Sequence, residues 1–275
     1  MTADSPTMLC SGVDTHAHVF LHDLPMAQGR RYSPEYDATS QAYLAQLDAQ
    51  GLSHGLLVQP SFLGTDNHFL LEALAASPER LKGVVVVDSA ISMAELDRMQ
   101  AAGVVGIRLN LIGATPTDYL GEEWMSLYRE LARRQWHVEI QRSVADLADF
   151  LPRLIETGVT LVIDHFGLPK EGELVPTLPE HQRFLTLLSS PQLWVKVSAP
   201  YRSGATLEQS RRSLAVLRQA MGDDQRLLWG SDWPHTRFEH VTDHAAQTQG
   251  MRDLLIDPHL IEQVMIRNPG RLLTL

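Results

Sequence analysis

The sequence predicts an α/β protein built as one (β/α)8, or TIM, barrel domain over residues 1–275. Eight short apolar runs recur along the chain, and most of them are followed by a segment with helical periodicity. A length of 275 residues suits a single barrel of this kind. Neither a Gly-rich dinucleotide loop nor a phosphate-binding loop follows the first run, which argues against an open doubly wound sheet.

The predicted strands are rich in β-branched residues and short enough to be buried parallel strands. In chain order they cover residues 12–20, 53–61, 81–88, 104–113, 136–143, 159–167, 193–201 and 226–235. Helical periodicity is predicted over residues 33–51, 68–81, 92–103, 124–135, 144–158 and 210–224. The last stretch, residues 257–273, predicts a closing helix followed by a turn at Asn-Pro-Gly.

The longest irregular segments each follow a predicted strand. They cover residues 20–38, 112–121 and 168–182. Because loops after barrel strands meet at the carboxyl-terminal face, we expect these segments to surround a substrate site there.

Composition limits the partners and the compartment. A formal net charge of −10 argues against nucleic acid or an anionic membrane surface as partner, but not against a small anionic ligand. No run approaches 18 uninterrupted apolar residues, and residues 1–10 do not resemble a secretory signal. The single cysteine, Cys10, excludes an internal disulfide. We therefore expect a cytoplasmic protein, either a monomer or a homodimer.

Four residues at predicted strand ends are candidates for catalysis. His16 and His18 are two residues apart on the first strand, so their side chains share a face. His165 ends the sixth strand and Asp232 ends the eighth. Taken singly, solvated histidines, a buried histidine bonded to backbone, or an Asx turn would explain them. Their common placement at strand ends favours acid–base or metal chemistry instead.

Six further polar residues near strand ends are candidates for substrate binding: Arg108, Arg202, Tyr32, Asn110, Gln141 and Gln59. The planar guanidinium of Arg108 suits a carboxylate, and the same reasoning applies to Arg202, although an exposed loop arginine is nearly as good an explanation there. Alternation along the fifth strand directs Gln141 into the barrel mouth. Gln59 could equally satisfy backbone groups.

The segments "VDTHAHVF", "VIDHFGLP" and "WGSDWPH", in that order and on those strands, resemble the amidohydrolase superfamily. Within it they are most similar to the lactone hydrolases typified by 2-pyrone-4,6-dicarboxylate hydrolase. The resemblance covers nearly the whole chain and includes "RRYSP", "VQPSFLGTDN", "AAGVVGIRLN", "KVSAP" and "NPGRLL". It implies a TIM-barrel hydrolase of carboxylic esters, of the EC 3.1.1 type, acting on a lactone.

Two departures from the family pattern affect what the resemblance implies. The superfamily usually has a lysine or histidine as metal ligand on the fifth strand, where this chain has Gln141. The lactone hydrolases resembled here work without a metal, so no cofactor is expected; the alternative is one Zn²⁺ or Mn²⁺ on His16, His18 and Asp232. They also carry a second arginine after the fourth strand, where this chain reads "LIGATP". Alternation points Arg142 away from that place.

The resulting hypothesis is hydrolysis of a small anionic lactone. Asp232 accepts a proton from the attacking water, while the three histidines polarise the lactone carbonyl. Arg108 and Arg202 hold carboxylate groups of the substrate. The alternatives are a metal-dependent decarboxylase of an aromatic or unsaturated acid, a sugar-acid lactonase or isomerase, and a non-catalytic barrel that binds a carboxylate.

Overall fold

The computed structural model describes residues 11–275, so Cys10 and the rest of residues 1–10 lie outside it. Eight parallel strands pair in consecutive order, each with its neighbours in the chain. They are β1 (Val13–Ala17), β2 (His54–Val58), β3 (Leu81–Val85), β4 (Val104–Asn110), β5 (His137–Gln141), β6 (Thr160–Ile163), β7 (Leu193–Lys196) and β8 (Leu227–Leu228). Every predicted strand is present, and each is shorter than its apolar run because the last residues of the run turn out of the sheet.

Backbone hydrogen bonds join β1 to the segment after β8. The backbone N–H of Thr15 donates to the carbonyl oxygen of Trp229 at 3.1 Å, and the Thr15 hydroxyl donates to the same oxygen at 2.8 Å. Further along this seam, the N–H of Asp232 donates to the carbonyl oxygen of His16 at 2.7 Å. The sheet therefore closes on itself, which confirms the predicted barrel.

Ten α-helices occur among residues 11–275. They are α1 (Ser40–Gln50), α2 (His68–Ala76), α3 (Met93–Ala101), α4 (Glu122–Arg133), α5 (Val144–Ile155), α6 (Pro179–Leu187), α7 (Leu207–Met221), α8 (His244–Leu255), α9 (Pro258–Glu262) and α10 (Asn268–Leu273). The first five and α7 match the predicted segments, whereas α6 and α8 were not predicted. None of these helices is long and apolar enough to cross a membrane.

Local chemistry explains where α1 begins and ends. The Thr39 hydroxyl accepts the backbone N–H of Ala42 at 3.2 Å, which satisfies one free donor of the first turn. Tyr43 and Leu47 are fully buried against the barrel. Gly51 ends the helix at a φ of 70°, a backbone conformation that costs a glycine little.

The prediction of a terminal turn at Asn-Pro-Gly is wrong, because these residues begin α10. Proline is well tolerated in a first helical turn, where its missing N–H has no partner in the helix. The Asn268 side chain donates to the carbonyl oxygen of Leu227 at 2.7 Å, and Leu273 packs with Val13 and Leu56. This helix therefore covers the amino-terminal end of the barrel, opposite the predicted site.

Candidate active site

The four predicted catalytic residues converge at the carboxyl-terminal end of the barrel. The Nε2 atoms of His16, His18 and His165 lie 3.8, 3.6 and 3.8 Å from Oδ1 of Asp232. Each of the four residues is at most 3% exposed. Three imidazole nitrogens from two sides of the barrel thus face one carboxylate oxygen.

The two oxygens of Asp232 have different surroundings. Oδ2 accepts hydrogen bonds from the Tyr201 hydroxyl and from Nε of Arg202, both at 2.5 Å. Oδ1 has no hydrogen-bond partner among the described residues. Burial alone would raise the pKa of this carboxyl, but the charge of Arg202 holds it well below its usual range. Asp232 is therefore ionised at neutral pH, with one oxygen held and the other free to accept a proton.

The backbone carbonyl beside His18 fixes the tautomer of its ring. Nδ1 lies 2.6 Å from the carbonyl oxygen of Val58, which can only accept, so Nδ1 carries the proton. Burial lowers the pKa of His18 to about 4, so the ring is neutral at pH 7. Its Nε2 consequently presents a lone pair toward Asp232 and the space beside it.

His165 is held from its other ring nitrogen by a hydroxyl group. Nδ1 lies 2.9 Å from Oγ of Ser198, an oxygen that can either donate or accept. Burial lowers the pKa of His165 well below its usual value, so this ring is also neutral. Its Nε2 has no partner among the described residues, like Nε2 of His16.

Beneath His16 lies a fully buried charge cluster made of Lys196, Glu139 and Asp164. Nζ of Lys196 is 2.6 Å from Oε1 of Glu139, 2.9 Å from Nδ1 of His16 and 3.4 Å from Oδ1 of Asp164. All four side chains are 0% exposed. The three N–H groups of one ammonium thus have three acceptors around them.

The charge of this cluster determines the tautomer of His16. Burial would raise the pKa values of Glu139 and Asp164, but the adjacent Lys196 outweighs burial and lowers both. With both carboxylates ionised, Lys196 is an ammonium, which can only donate to Nδ1 of His16. In the neutral ring the proton therefore resides on Nε2, and His16 presents a hydrogen-bond donor to the catalytic space.

Two groups of side chains have the spacing of metal ligands: His16, His18 and Asp232, and His16, Asp164 and His165. Both groups require His16, which would bind an ion through Nε2 beside Asp232 or through Nδ1 beside Asp164. The Lys196 ammonium occupies Nδ1 and thereby places the ring proton on Nε2, and Arg202 already neutralises Asp232. This donor set fits a divalent cation poorly.

The predicted binding residues surround a cavity that opens to solvent at the carboxyl-terminal end of the barrel. Five of the six line it: Arg108, Arg202, Tyr32, Asn110 and Gln141. Arg108 is only 4% exposed and donates to Oε1 of Gln141 at 2.6 Å and to the carbonyl oxygen of Gln59 at 3.0 Å. Its guanidinium is therefore held rigidly at the wall of the cavity.

Two side chains, Tyr32 and Arg202, have contacts that sequence reasoning did not predict, and Gln59 has the contacts given as its alternative. The amide of Gln59 donates to the carbonyl oxygen of Asp66 at 2.7 Å and does not line the cavity, so its alternative role with backbone groups is the observed one. The Tyr32 hydroxyl donates to Glu239 at 2.7 Å. Arg202 holds Asp232 through Nε, in addition to lining the cavity. Arg142 pairs with Asp146 at 2.7 Å and lies outside the cavity lining, as alternation predicts.

Sequence reasoning missed six polar residues of this region: Glu139, Asp164, Lys196, Tyr201, Arg31 and Arg237. Three of them left a signal, because an ionisable residue inside or directly after an apolar strand must find a buried partner. Lys196 in "LWVKVSAP", Glu139 in "WHVEIQ" and Asp164 in "VIDHFG" are such residues. Arg31 and Arg237 lie in irregular loops, where nothing distinguishes them from other surface arginines.

Comparison with known proteins gives a consistent family assignment. The family model described as amidohydrolase matches residues 13–275. A 2-pyrone-4,6-dicarboxylate hydrolase from Comamonas testosteroni is 30% identical over 94% of this chain and 89% of its own. A 4-sulfomuconolactone hydrolase from Hydrogenophaga intermedia is 26% identical over 94% of this chain and 87% of its own.

A solved structure agrees with these sequence matches. It comes from Acinetobacter baumannii, is provisionally described as a 2-pyrone-4,6-dicarboxylic acid hydrolase, and contains bound citric acid. That chain is 36% identical to this one and superposes with a TM-score of 0.90, over 96% of this chain and 99% of its own.

Proposed function

Because the chain belongs to the amidohydrolase family, we propose that it is a lactone hydrolase that opens a carboxylate-bearing cyclic ester. The observation that carries this proposal is the approach of three imidazole nitrogens to the free oxygen of Asp232, beside a cavity that is lined by His18 and four arginines. Such a site combines a proton acceptor, a hydrogen-bond donor and anion-binding groups. The names of the relatives describe lactone hydrolases, which supports the same reaction class.

In the proposed reaction, water attacks the lactone carbonyl carbon while Oδ1 of Asp232 takes one of its protons. The lone pair on Nε2 of His18 accepts the other hydrogen of this water and orients it. His18 is thus assigned to the water rather than to the carbonyl, because its Nε2 has no proton to donate. Tyr201 and Arg202 hold Oδ2, so that Oδ1 stays directed at the reacting atoms.

The negative charge that develops on the carbonyl oxygen needs a donor, which is Nε2–H of His16. His165 joins it as a second donor when the Ser198 hydroxyl donates to its Nδ1. Collapse of the tetrahedral intermediate breaks the ring C–O bond, and the carboxyl of Asp232 returns its proton to the leaving oxygen. One oxyanion donor of this kind contributes a factor of about 10² to 10³ in rate.

The reaction is proposed to proceed without a metal ion. The support is the tautomer of His16: a nitrogen that carries a proton can stabilise an oxyanion but cannot ligate Zn²⁺ or Mn²⁺. Metal-dependent decarboxylation, the second hypothesis from the sequence, requires the same nitrogen as a ligand. The structure therefore favours hydrolysis over the lyase alternative.

The substrate is a small lactone with at least one carboxylate group. Arg108 and Arg202 both line the cavity, and Arg202 also contacts Asp232, so we assign the first carboxylate to these two arginines. A planar guanidinium binds a carboxylate through two parallel hydrogen bonds, which orients the ring as well as holding it.

The test uses purified, chelator-treated protein of measured metal content with 2-pyrone-4,6-dicarboxylate, followed by ultraviolet absorbance and product analysis. We expect ring opening in the absence of metal. Asp232→Asn should lower kcat by a factor of about 10² to 10⁴ with a smaller effect on KM, since it removes the proton acceptor.

Asp149→Asn is the matched control, because Asp149 is exposed on α5 and pairs only with Arg183 at the surface. Its kinetics should equal those of the unchanged protein. Normal turnover by Asp232→Asn would refute the assigned base. Turnover that appears only after Zn²⁺ or Mn²⁺ is added would refute the metal-free mechanism.

A further inference from the structure

Four arginines line the cavity, and the proposed reaction uses two of them, Arg108 and Arg202. The other two, Arg31 and Arg237, have no role in that reaction. No aspartate or glutamate is among the residues lining the cavity or its outer extension beside Lys170. The field in the mouth is therefore positive, although the whole chain has a net charge of −10.

The four guanidinium groups differ in how far they are already satisfied. Arg108 donates to Gln141 and to backbone, and Arg202 donates to Asp232. Arg31 has one weak partner, the amide oxygen of Asn110 at 3.2 Å. The guanidinium of Arg237 has no hydrogen-bond or ion-pair partner among the described residues. Arg31 and Arg237, the outer arginines, therefore remain available to bind an anion. Arg108 and Arg202, the inner arginines, are held in place by their existing contacts.

The outer arginines come from different loops, and hydrogen bonds join these two loops. Arg31 follows β1, and Arg237 follows β8 with a φ of 72°, a backbone conformation that a non-glycine residue rarely adopts. Oε1 of Glu239 accepts the hydroxyls of Tyr32 at 2.7 Å and Tyr36 at 2.6 Å, and also the backbone N–H of Arg237 at 3.0 Å. This carboxylate therefore fixes one loop against the other and makes no ion pair with either arginine among the described contacts.

Two like charges are held near each other without a counter-ion. Partial burial and then the charges of Arg237 and Arg202 lower the pKa of Arg31. An arginine nevertheless stays protonated, so an anion that binds between the two guanidinium groups relieves their repulsion.

We infer that Arg31 and Arg237 form a second anion subsite, which selects lactones with two anionic groups over lactones with one. This inference rests on the proposed function and deepens it. The inner anion lies at Arg108 and Arg202, and the outer one, a carboxylate or a sulfonate, lies between Arg31 and Arg237. The ring is then held at both ends, with its ester carbonyl directed toward Asp232.

Binding of unreactive analogues tests the subsite independently of turnover. The probes are pyridine-2,4-dicarboxylate and pyridine-2-carboxylate, and calorimetry gives the Kd of each. In Arg31→Met and Arg237→Met we expect the Kd for the dicarboxylate to rise about 10- to 100-fold, since each change removes charge-assisted hydrogen bonds. The Kd for the monocarboxylate should change by less than about threefold.

Arg30→Met is the matched control, because Arg30 lies beside Arg31 in the same loop but donates to Ser33 and does not line the cavity. It should leave both Kd values unchanged. With lactone substrates, the two test variants should raise KM for a dianionic lactone while kcat changes little.

Unchanged dicarboxylate binding in both variants would overturn the subsite. An equal loss of affinity for both probes would overturn it too, because it would indicate general attraction of anions rather than a place for a second group. If the discrimination between probes is present but no lactone is hydrolysed, the subsite stands and the proposed function fails. The two conclusions are thus separable.

Discussion

Lys196 is the residue whose surroundings explain most about the chemistry of the site. It is a lysine with no exposed surface, flanked by two buried carboxylates and the ring of His16. Burying such a charge is unfavourable unless ion pairs and hydrogen bonds compensate it, and here the ammonium makes two hydrogen bonds and an ion pair with Asp164. The same contacts decide which nitrogen of His16 bears the proton, so we propose that Lys196 is a positioning residue for catalysis.

Lys196→Met should lower the free energy of unfolding by about 3–5 kcal/mol, because it leaves two buried carboxylates without their cation. Denaturant unfolding measures this effect, with Lys170→Met at the exposed loop as the control. The double variant Lys196→Met with Glu139→Gln removes one charge of each sign and should recover part of the loss. An additive, larger loss in the double variant would contradict the charge assignment.

Nitrogen NMR of His16 tests the tautomer directly. It should show the proton on Nε2 in the unchanged protein, whereas in Lys196→Met the position of this proton should no longer be fixed.

The pH dependence of kcat/KM follows from the lowered pKa values in the site. Asp232 must be ionised and His18 must be neutral; Asp232 has a pKa well below its usual range and His18 a pKa of about 4. Activity is thus present above these values and lost as the pH falls through them. We expect kcat/KM to be level between about pH 5 and 8 and to fall below about pH 4. A fall with a midpoint near the ordinary histidine pKa of about 6.5 would contradict this assignment.

The seam between β1 and the segment after β8 brings together Asp232, the proposed base, and His16, the proposed donor. Gly230 lies against β1 so closely that a Cβ atom there would be 2.5 Å from Cβ and 2.7 Å from the backbone nitrogen of His16. Backbone cannot yield as a side-chain tip can, so only glycine permits this approach. Two residues later, the N–H of Asp232 binds the carbonyl oxygen of His16.

Gly230→Ala should therefore displace His16 relative to Asp232. We expect kcat to fall at least about 10-fold and the free energy of unfolding to fall by about 1–3 kcal/mol, the usual cost of overpacking. Gly250→Ala on α8 is the matched control, since an added Cβ meets nothing within 4 Å and alanine is the better helix former. That variant should keep full activity and equal or higher stability. Full activity in Gly230→Ala would show that the close approach has no catalytic role.

Elements whose pattern is local were predictable, and contacts between distant segments were not. The eight strands follow from short β-branched runs, and His16, His18, His165 and Asp232 follow from their places at the ends of such runs. The helix α6 was missed because Pro179 and the mixed sequence after it resemble a loop. The partners of Lys196 come from β1, β5 and the end of β6, and nothing in its own neighbourhood indicates which residues the barrel brings to it.

On the scale of the whole molecule, the charge distribution opposes the net charge. The chain carries −10 in total, yet the mouth of the cavity is lined by arginines and by no carboxylate among the described residues. Local fields in a low-dielectric cleft govern the approach of a small ion more than distant surface charges do, since salt screens the latter.

We propose that residues 11–275 act as one domain, because the strands of the closed barrel extend from β1 to β8. Cytoplasmic location and oligomeric state stay predictions.

The charge distribution around the cavity mouth predicts how kcat/KM responds to salt. For a dianionic lactone, kcat/KM should decrease as the salt concentration rises from about 0.02 to 0.5 M, because screening weakens attraction to the mouth. A neutral sugar lactone, if it is turned over, provides the control and should show little dependence. An increase of kcat/KM with salt for the dianion would indicate that the negative surface, rather than the mouth, controls its approach.

The closing seam also has a consequence for biosynthesis. It joins Thr15 to Trp229 across 214 positions of the chain, and it places Asp232 beside His16. A polypeptide still emerging from the ribosome has its paired histidines early but receives the aspartate only after the residues of all eight strands have been synthesised. No shorter nascent fragment contains both halves of the proposed catalytic pair. The newborn protein is therefore inert toward its substrate until the last strand has joined the first.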